Sequence, residues 1–331
     1  MQSISPQDWP PTATLAQLRL RGEILSRIRA YFQSRQVLEV ETPLLSVAGT
    51  TDPSVHSFET RPQQGDDAAG STLYLHTSPE FPMKRLLAAG SGPIYQICKV
   101  FRQGEHGRLH NPEFTMLEWY RPGYDHHDLM DEVEALLRVV LEGLMDFPVA
   151  HRCTYRELFQ RYVDVDPFRD DVSLLQCRIR EQGLELPLGL GDEQTDPWRD
   201  FLLTHVIEPR LPKQPVFVYD FPVNQAALAR LRPGDPPVAE RFELYVNGVE
   251  LANGYHELTD SEAQRERIER DVKVRQKAGL PYVPTDQRLL CALDAGLPDC
   301  AGVAVGIDRL IMMAAGASSI REVMSFPADR A

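Results

Sequence analysis

Three stretches of this chain carry side chains whose types and spacing suit chemistry on a charged substrate. In residues 101–120, FRQGEHGRLHNPEFTMLEWY, arginine, histidine and glutamate crowd together more densely than elsewhere. The apolar, β-branched run 93–102 predicts a buried strand, the polar, Gly-containing 103–111 a turn, and 113–120 a returning strand. Alternation puts Phe114, Met116, Glu118 and Tyr120 on one face. A carboxylate flanked by Met116 and Tyr120 in so apolar a strand points to a pocket rather than to solvent.

In residues 240–257, Asn247-Gly248 between alternating apolar runs predicts a two-residue hairpin. A regular register opposes Val246 to Val249, Tyr245 to Glu250 and Glu243 to Ala252. Glu243 and Glu250 then become diagonal neighbours on one face, roughly 7 to 8 Å apart. A hydrated Mg²⁺ and phosphate oxygens can bridge that gap, which makes the pair a metal-site candidate, with Asn253 and Glu257 nearby. Residues 301–314 read as a small-residue strand, then Gly306, then a helix opening near Asp308, with Arg309 projecting from its first turn. Small residues in a strand let a flat group or another backbone come close.

These groups need a scaffold, and the rest of the chain reads as one. Leu18, Ile24, Leu25, Ile28, Tyr31 and Phe32 recur at helical spacing, predicting an amphipathic helix over 15–35, followed by a short strand at 37–41. Helix 81–89 should hold Glu80 near the positive end of its dipole. The segment 60–71 reads as a surface loop. Further helices are expected over 128–145, from the capping box Thr154-Tyr-Arg-Glu157, and over 171–182, 197–210 and 260–279, the last a solvated charged helix, with a strand at 215–220. His126 and His127, at a helix start, read as a solvated pair without a role.

Composition narrows the function. With 331 residues, 43% hydrophobic, the chain can bury a large core. A net charge of −13 gives no global basic field, which disfavours nucleic acid as a partner. Five cysteines without CxxC spacing favour neither a disulfide framework nor a zinc site, and no long apolar run or leader pattern is present, so a reducing cytoplasm is expected.

Together the stretches resemble the class II aminoacyl-tRNA synthetase signature set, in its lysyl branch. VLEVETPLL with Pro43 is similar to the first, dimer-forming motif, FRQGEHGRLHNPEFTMLEWY to the second and GVAVGIDRLIM to the third, while NPEFTMLEWY and ELANGYHE are lysyl-type. About 36 residues precede the first motif, too few for the OB-fold domain that reads the anticodon in lysyl-tRNA synthetases. A free-standing catalytic domain of this kind resembles the elongation factor P lysine ligases, which attach (R)-β-lysine to a lysine of elongation factor P.

The resemblance implies an α+β fold, the class II synthetase catalytic fold with an antiparallel sheet of about six strands flanked by helices. It would occupy residues 17–331 after a tail at 1–16, as a homodimer using ATP and Mg²⁺, with (R)-β-lysine or lysine and elongation factor P as substrates. It also implies roles. Arg102 would bind the α-phosphate, Phe114 and Arg309 would sandwich adenine, and Arg309 with His110 would hold the γ-phosphate, with Asn111 in the adenine-facing loop. Glu243 and Glu250 would carry the metal. Glu80 would clasp the substrate's backbone amine, Asn253 would lie near its carboxylate, and Glu118, Tyr120 and Glu257 would surround the side-chain ammonium. Arg102 and Arg309 are the catalytic pair, stabilising charge as the carboxylate attacks.

Two positions depart from relatives. Where the second motif usually reads Phe-Arg-x-Glu, position 104 is Gly; either Glu105 substitutes or one contact is absent. Ala304 stands where lysyl-tRNA synthetases have Gly, and the ligases share the alanine; its methyl should narrow the amino-acid pocket. A truncated lysyl-tRNA synthetase charging tRNA and a non-catalytic regulatory paralogue are the alternative readings; the acidic balance opposes the first and the intact phosphate and metal ligands oppose the second.

Overall fold

The computed structural model describes residues 9–61, 72–191 and 195–331. Most of the expected loop 60–71 and half of the tail 1–16 lie outside them. The chain divides into two compact units: one of residues 1–123, 135–146 and 259–331, the other of 124–134 and 147–258.

The first unit is built on strands that pair as expected from the first stretch. Ile94–Phe101 and Glu113–Pro122 form an antiparallel hairpin in which Gln96 faces Glu118 and Ile94 faces Tyr120. Cys300–Gly306 runs antiparallel along the other side of Glu113–Pro122, and Leu38–Glu39 adds a parallel edge to Ile94–Phe101. A small separate sheet joins Leu45–Ser46, Leu73–Leu75 and Glu59–Thr60. The helix Leu15–Ser34 starts at a complete capping box made by Thr14 and Gln17. Its apolar face buries Ile24, Ile28, Tyr31 and Phe32, and Phe32 stacks on Tyr95 with ring centroids 4.4 Å apart. Helix Glu80–Ala88 packs on helix Gln287–Gly296 around Met83, Leu87, Leu289 and Leu293. The charged helix Ser261–Lys277 is not solvated all round, because Ile268 enters this core and buried Arg275 donates to the carbonyls of Asp52 and Pro281.

In the second unit, Val249–His256, Val238–Val246 and Val216–Pro222 are successive antiparallel neighbours, and His151–Thr154 runs parallel to the last. Among the described residues each unit thus supplies three main antiparallel strands and one parallel extension, and the second adds the two-residue strand Leu231–Arg232 antiparallel to Val238–Val246, in line with the expected six or so antiparallel strands. The expected helix 197–210 holds α geometry only over Asp196–Leu202, then loosens into a π turn and a 3₁₀ turn. Pro209 lies in that last turn and cannot donate a helical hydrogen bond.

The predicted hairpin turn is there, with positive φ at Asn247 and Gly248. Gly248 is obligatory twice over, since a Cβ would also come within 2.6 Å of the Glu208 carbonyl oxygen. The register follows expectation through Tyr245↔Glu250 and then slips by one, so that Leu244 faces Ala252 and Glu243 faces Asn253 rather than Ala252. Leu251 is the extra residue of a β-bulge, which spacing alone did not reveal. Among the described residues no helix is long and apolar enough to cross a membrane.

Candidate active site

Glu118 is the best-defined group of the first unit. It is 3% exposed and accepts hydrogen bonds from the Tyr120 hydroxyl at 2.6 Å and the Ser78 hydroxyl at 2.7 Å. Burial, and then the neighbouring Glu80 charge, raise its pKa to about 7, while the two hydroxyls pull it back. Ala304 sits directly across the ladder from Glu118, so its methyl is on the strand position adjoining the carboxylate's. Ser78 also accepts from the Glu80 amide, tying the start of helix Glu80–Ala88 to this carboxylate. Glu80 itself is paired at 2.6 Å with Lys84, a buried lysine one turn on. The sequence reading missed Ser78; its signal was a hydroxyl two residues before a helix-opening acid.

Arg102 leaves the end of Ile94–Phe101 and reaches three groups. Its Nε donates to the Thr77 carbonyl at 3.3 Å, its Nη1 lies 3.5 Å from Glu105, and its guanidinium carbon is 5.2 Å from the Phe114 ring centroid. The Glu105 contact gives the Gly104 departure a geometric reading. Gly104 has φ +87°, a conformation that strains any side-chain residue, and the acid beside Arg102 comes from the next position. Arg309, in the first turn of helix Ile307–Ala314, donates to His110 Nε2 at 2.9 Å and to the Leu109 carbonyl. Burial first, then Arg309, lower the His110 pKa, so the imidazole is neutral and can accept. Asn111 is buried and spends its amide on structure, donating to the Glu113 carbonyl and accepting from the Ala328 amide. It lines a hollow of about 310 Å³ with His106, His110, Arg321 and Asp329.

Asp308, 2% exposed, explains how Arg309 is held. Its two oxygens accept from Arg21 at 2.7 Å and from the Thr115 amide at 2.6 Å, and Arg21 also donates to the Thr115 hydroxyl. One buried carboxylate thereby joins the helix of Arg309, the strand of Phe114 and Glu118, and the helix Leu15–Ser34. Arg21 gave no signal in the sequence beyond being a cation on an amphipathic helix.

In the second unit, Glu243 is 6% exposed and accepts from the Tyr245 hydroxyl and from Arg241, whose Nε also donates to Asn253 Oδ1 at 3.3 Å. Burial raises the Glu243 pKa; Arg241 opposes that, and Glu250, close enough to act on it, adds to it. The bulge therefore leaves the two carboxylates electrostatic neighbours. Arg241 went unnoticed in the sequence, although it precedes Glu243 by two and so shares its strand face. Glu257 is 1% exposed, at the end of the strand that carries Asn253.

Residues 9–330 match the family model for tRNA synthetases class II (D, K and N). Proteins from Klebsiella pneumoniae, Salmonella paratyphi B and Salmonella schwarzengrund are each 49% identical over 327 residues, covering 98% of this chain and 98% of each relative. Each of the three is named an elongation factor P–(R)-β-lysine ligase.

Proposed function

Because the chain belongs to the class II tRNA synthetase family (D, K and N), we propose that it is an ATP-dependent ligase that adenylates (R)-β-lysine and transfers it to a lysine amine of elongation factor P. The likeness to relatives of that name runs end to end, at 49% identity over 98% of the chain. The structural observation that supports the substrate assignment is Glu118, a buried carboxylate that accepts from the Ser78 and Tyr120 hydroxyls and whose natural complement is an ammonium group.

In this reading Arg102 holds the α-phosphate while the β-lysine carboxylate attacks it and pyrophosphate leaves. The deprotonated acceptor amine then attacks the mixed anhydride carbonyl, and AMP departs. No protein nucleophile is required, and catalysis is positioning plus charge neutralisation. Neutral His110 orients Arg309 toward the γ-phosphate. Phe114 offers its ring to adenine and Asn111 braces the loop beside it. Glu80 takes the substrate's backbone amine, Asn253 its carboxylate, and Tyr120 and Glu257 complete the ammonium set. Glu243 and Glu250 fit Mg²⁺, since both offer hard oxygen ligands, and a metal there would neutralise phosphate charge. A homodimer is supported by Leu38, Leu44 and Leu45, all exposed within the first motif, and by Val47, exposed just after it.

Intact-mass analysis of elongation factor P after incubation with the protein, ATP and each lysine isomer tests this. The expected result is a mass gain of one lysyl unit, larger in yield with (R)-β-lysine. Aminoacylated tRNA with unmodified elongation factor P would instead establish a truncated tRNA synthetase.

A further inference from the structure

A separate polar cluster lies inside the second unit. His126 opens helix His126–Leu141, Glu240 lies on Val238–Val246 and His256 ends Val249–His256. Each offers one donor atom, and the three atoms lie within 4.8 Å of one another. His126 is not the solvated residue expected from its place at a helix start: it is 1% exposed, and both ring nitrogens are buried with no hydrogen-bond partner. Asp220 Oδ1, buried and likewise lacking a hydrogen bond, is 3.6 Å from His126 Nε2. Burying such groups unbonded is unfavourable, so the arrangement calls for something that satisfies them.

The remaining contacts divide these carboxylates into inner and outer oxygens. Arg232 pairs with Asp220 Oδ2 and lies 3.5 Å from Glu240 Oε1. Asp220 Oδ1 and Glu240 Oε2 face the imidazoles, the latter hydrogen-bonded to His256 Nδ1 at 2.6 Å. Carboxylates fixed from behind by a cation and converging with two imidazoles make a metal-ligand shell with its outer support in place. Two nitrogen donors suit zinc and its first-row neighbours and exclude a dedicated Mg²⁺ cage, which would take oxygens.

We propose that His126, Glu240 and His256, with Asp220 as a fourth donor, bind one first-row divalent transition ion of the zinc type. The role is structural. Val238–Val246 pairs irregularly with Val216–Pro222 between Ala239 and Phe242, the interval that contains Glu240, and Glu243 follows three residues later. An ion here ties a helix start to three strands where the pairing of two of them is irregular, and so steadies the strand of Glu243. The site differs from the Glu243–Glu250 pair in residues and in ligand chemistry.

The test uses the full chain, stripped with chelator and re-equilibrated with Zn²⁺ in the presence of excess Mg²⁺. Elemental analysis should find about one zinc per chain, and Zn²⁺ but not Mg²⁺ should raise the unfolding temperature. His126→Gln with His256→Gln should weaken zinc binding by at least the roughly 10- to 100-fold that loss of an outer-shell partner costs. Absence of stoichiometric zinc, or zinc retained undiminished by that variant, overturns the proposal. Should the variant not fold, the Co²⁺ form of the unmutated chain decides: a tetrahedral spectrum without thiolate charge-transfer bands supports the site, and such bands would put the ion on cysteine and contradict it.

Discussion

Glu118 and Glu243 occupy the same local motif in the two units. Each lies on a strand with tyrosine two residues on, in Glu-Trp-Tyr and Glu-Leu-Tyr, and each accepts from that tyrosine's hydroxyl while 3% and 6% exposed. Their other donor differs. Glu118 takes a hydrogen bond from the Ser78 hydroxyl, whereas Glu243 takes one from the Arg241 guanidinium. The protein therefore supplies Glu243 with its countercharge directly, whereas Glu118 accepts from neutral donors and feels its nearest cation, Lys84, only at a distance, since Lys84 is paired with Glu80. Burying an ionised carboxylate is unfavourable, and beside Glu80 the two hydroxyls and the Lys84 charge do not offset that cost, so the pKa of Glu118 is raised. In the proposed reading a substrate ammonium would remove that cost on binding, so the energy of recognition would be stored in the free protein. The converse holds at Glu243, where Arg241 competes with any metal and Glu250 must contribute to hold one.

Removing Arg241 breaks the comparison most severely. Arg241→Ala leaves Glu243 buried without its cation and should lower unfolding stability by about 3 to 5 kcal/mol, read by denaturant titration. Glu118→Gln keeps the shape but removes the charge and turns one of the two accepting oxygens into a donor. It should reduce kcat/KM for (R)-β-lysine in pyrophosphate exchange by the roughly 2 to 5 kcal/mol of a severed buried ion pair, with ATP affinity unchanged. Ala304→Gly deletes the methyl opposite Glu118 and should shift the ratio of α-lysine to β-lysine use by the roughly 1 to 3 kcal/mol that one methyl group discriminates, measured in the same exchange assay. Smallest is Tyr120→Phe: losing one neutral hydrogen bond, worth about 1 kcal/mol, should move the pH midpoint of β-lysine binding upward, because that bond favours the ionised carboxylate.

The parts of this account legible in the sequence are those fixed by local geometry. Alternation found the face of Phe114, Glu118 and Tyr120, and the Asn247-Gly248 turn fixed the hairpin up to Tyr245. Beyond it the bulge at Leu251 escaped, since an extra residue in one strand is set by what the sheet packs against and not by alternation. Partners distant in sequence escaped for the same kind of reason. Ser78 and Glu118 are 40 residues apart, and Arg21 and Asp308 are 287 apart, so no window on the chain contains both members. His126 was misread because a position at a helix start says nothing about what folds over it, and here strands β-paired far along the chain do.

The pH dependence follows from the sign of the Glu118 shift. A carboxyl whose folded pKa lies above its ordinary value stabilises the fold while protonated, and that contribution is lost as pH rises through about 7. Ionisation over the same interval is what prepares the site for an ammonium, so the free protein should lose stability where substrate affinity is gained, and bound β-lysine should restore it.

The most direct test is the KM for (R)-β-lysine in ATP–pyrophosphate exchange, measured from below to above pH 7 on the unmutated chain and on Glu118→Gln. KM for (R)-β-lysine should fall as pH rises through about 7 in the unmutated chain and lose that dependence in the variant, while KM for ATP stays level in both. A KM for β-lysine that is flat across the interval, or a dependence that survives in Glu118→Gln, would contradict the assignment of Glu118 as the carboxylate that waits for the substrate's charge.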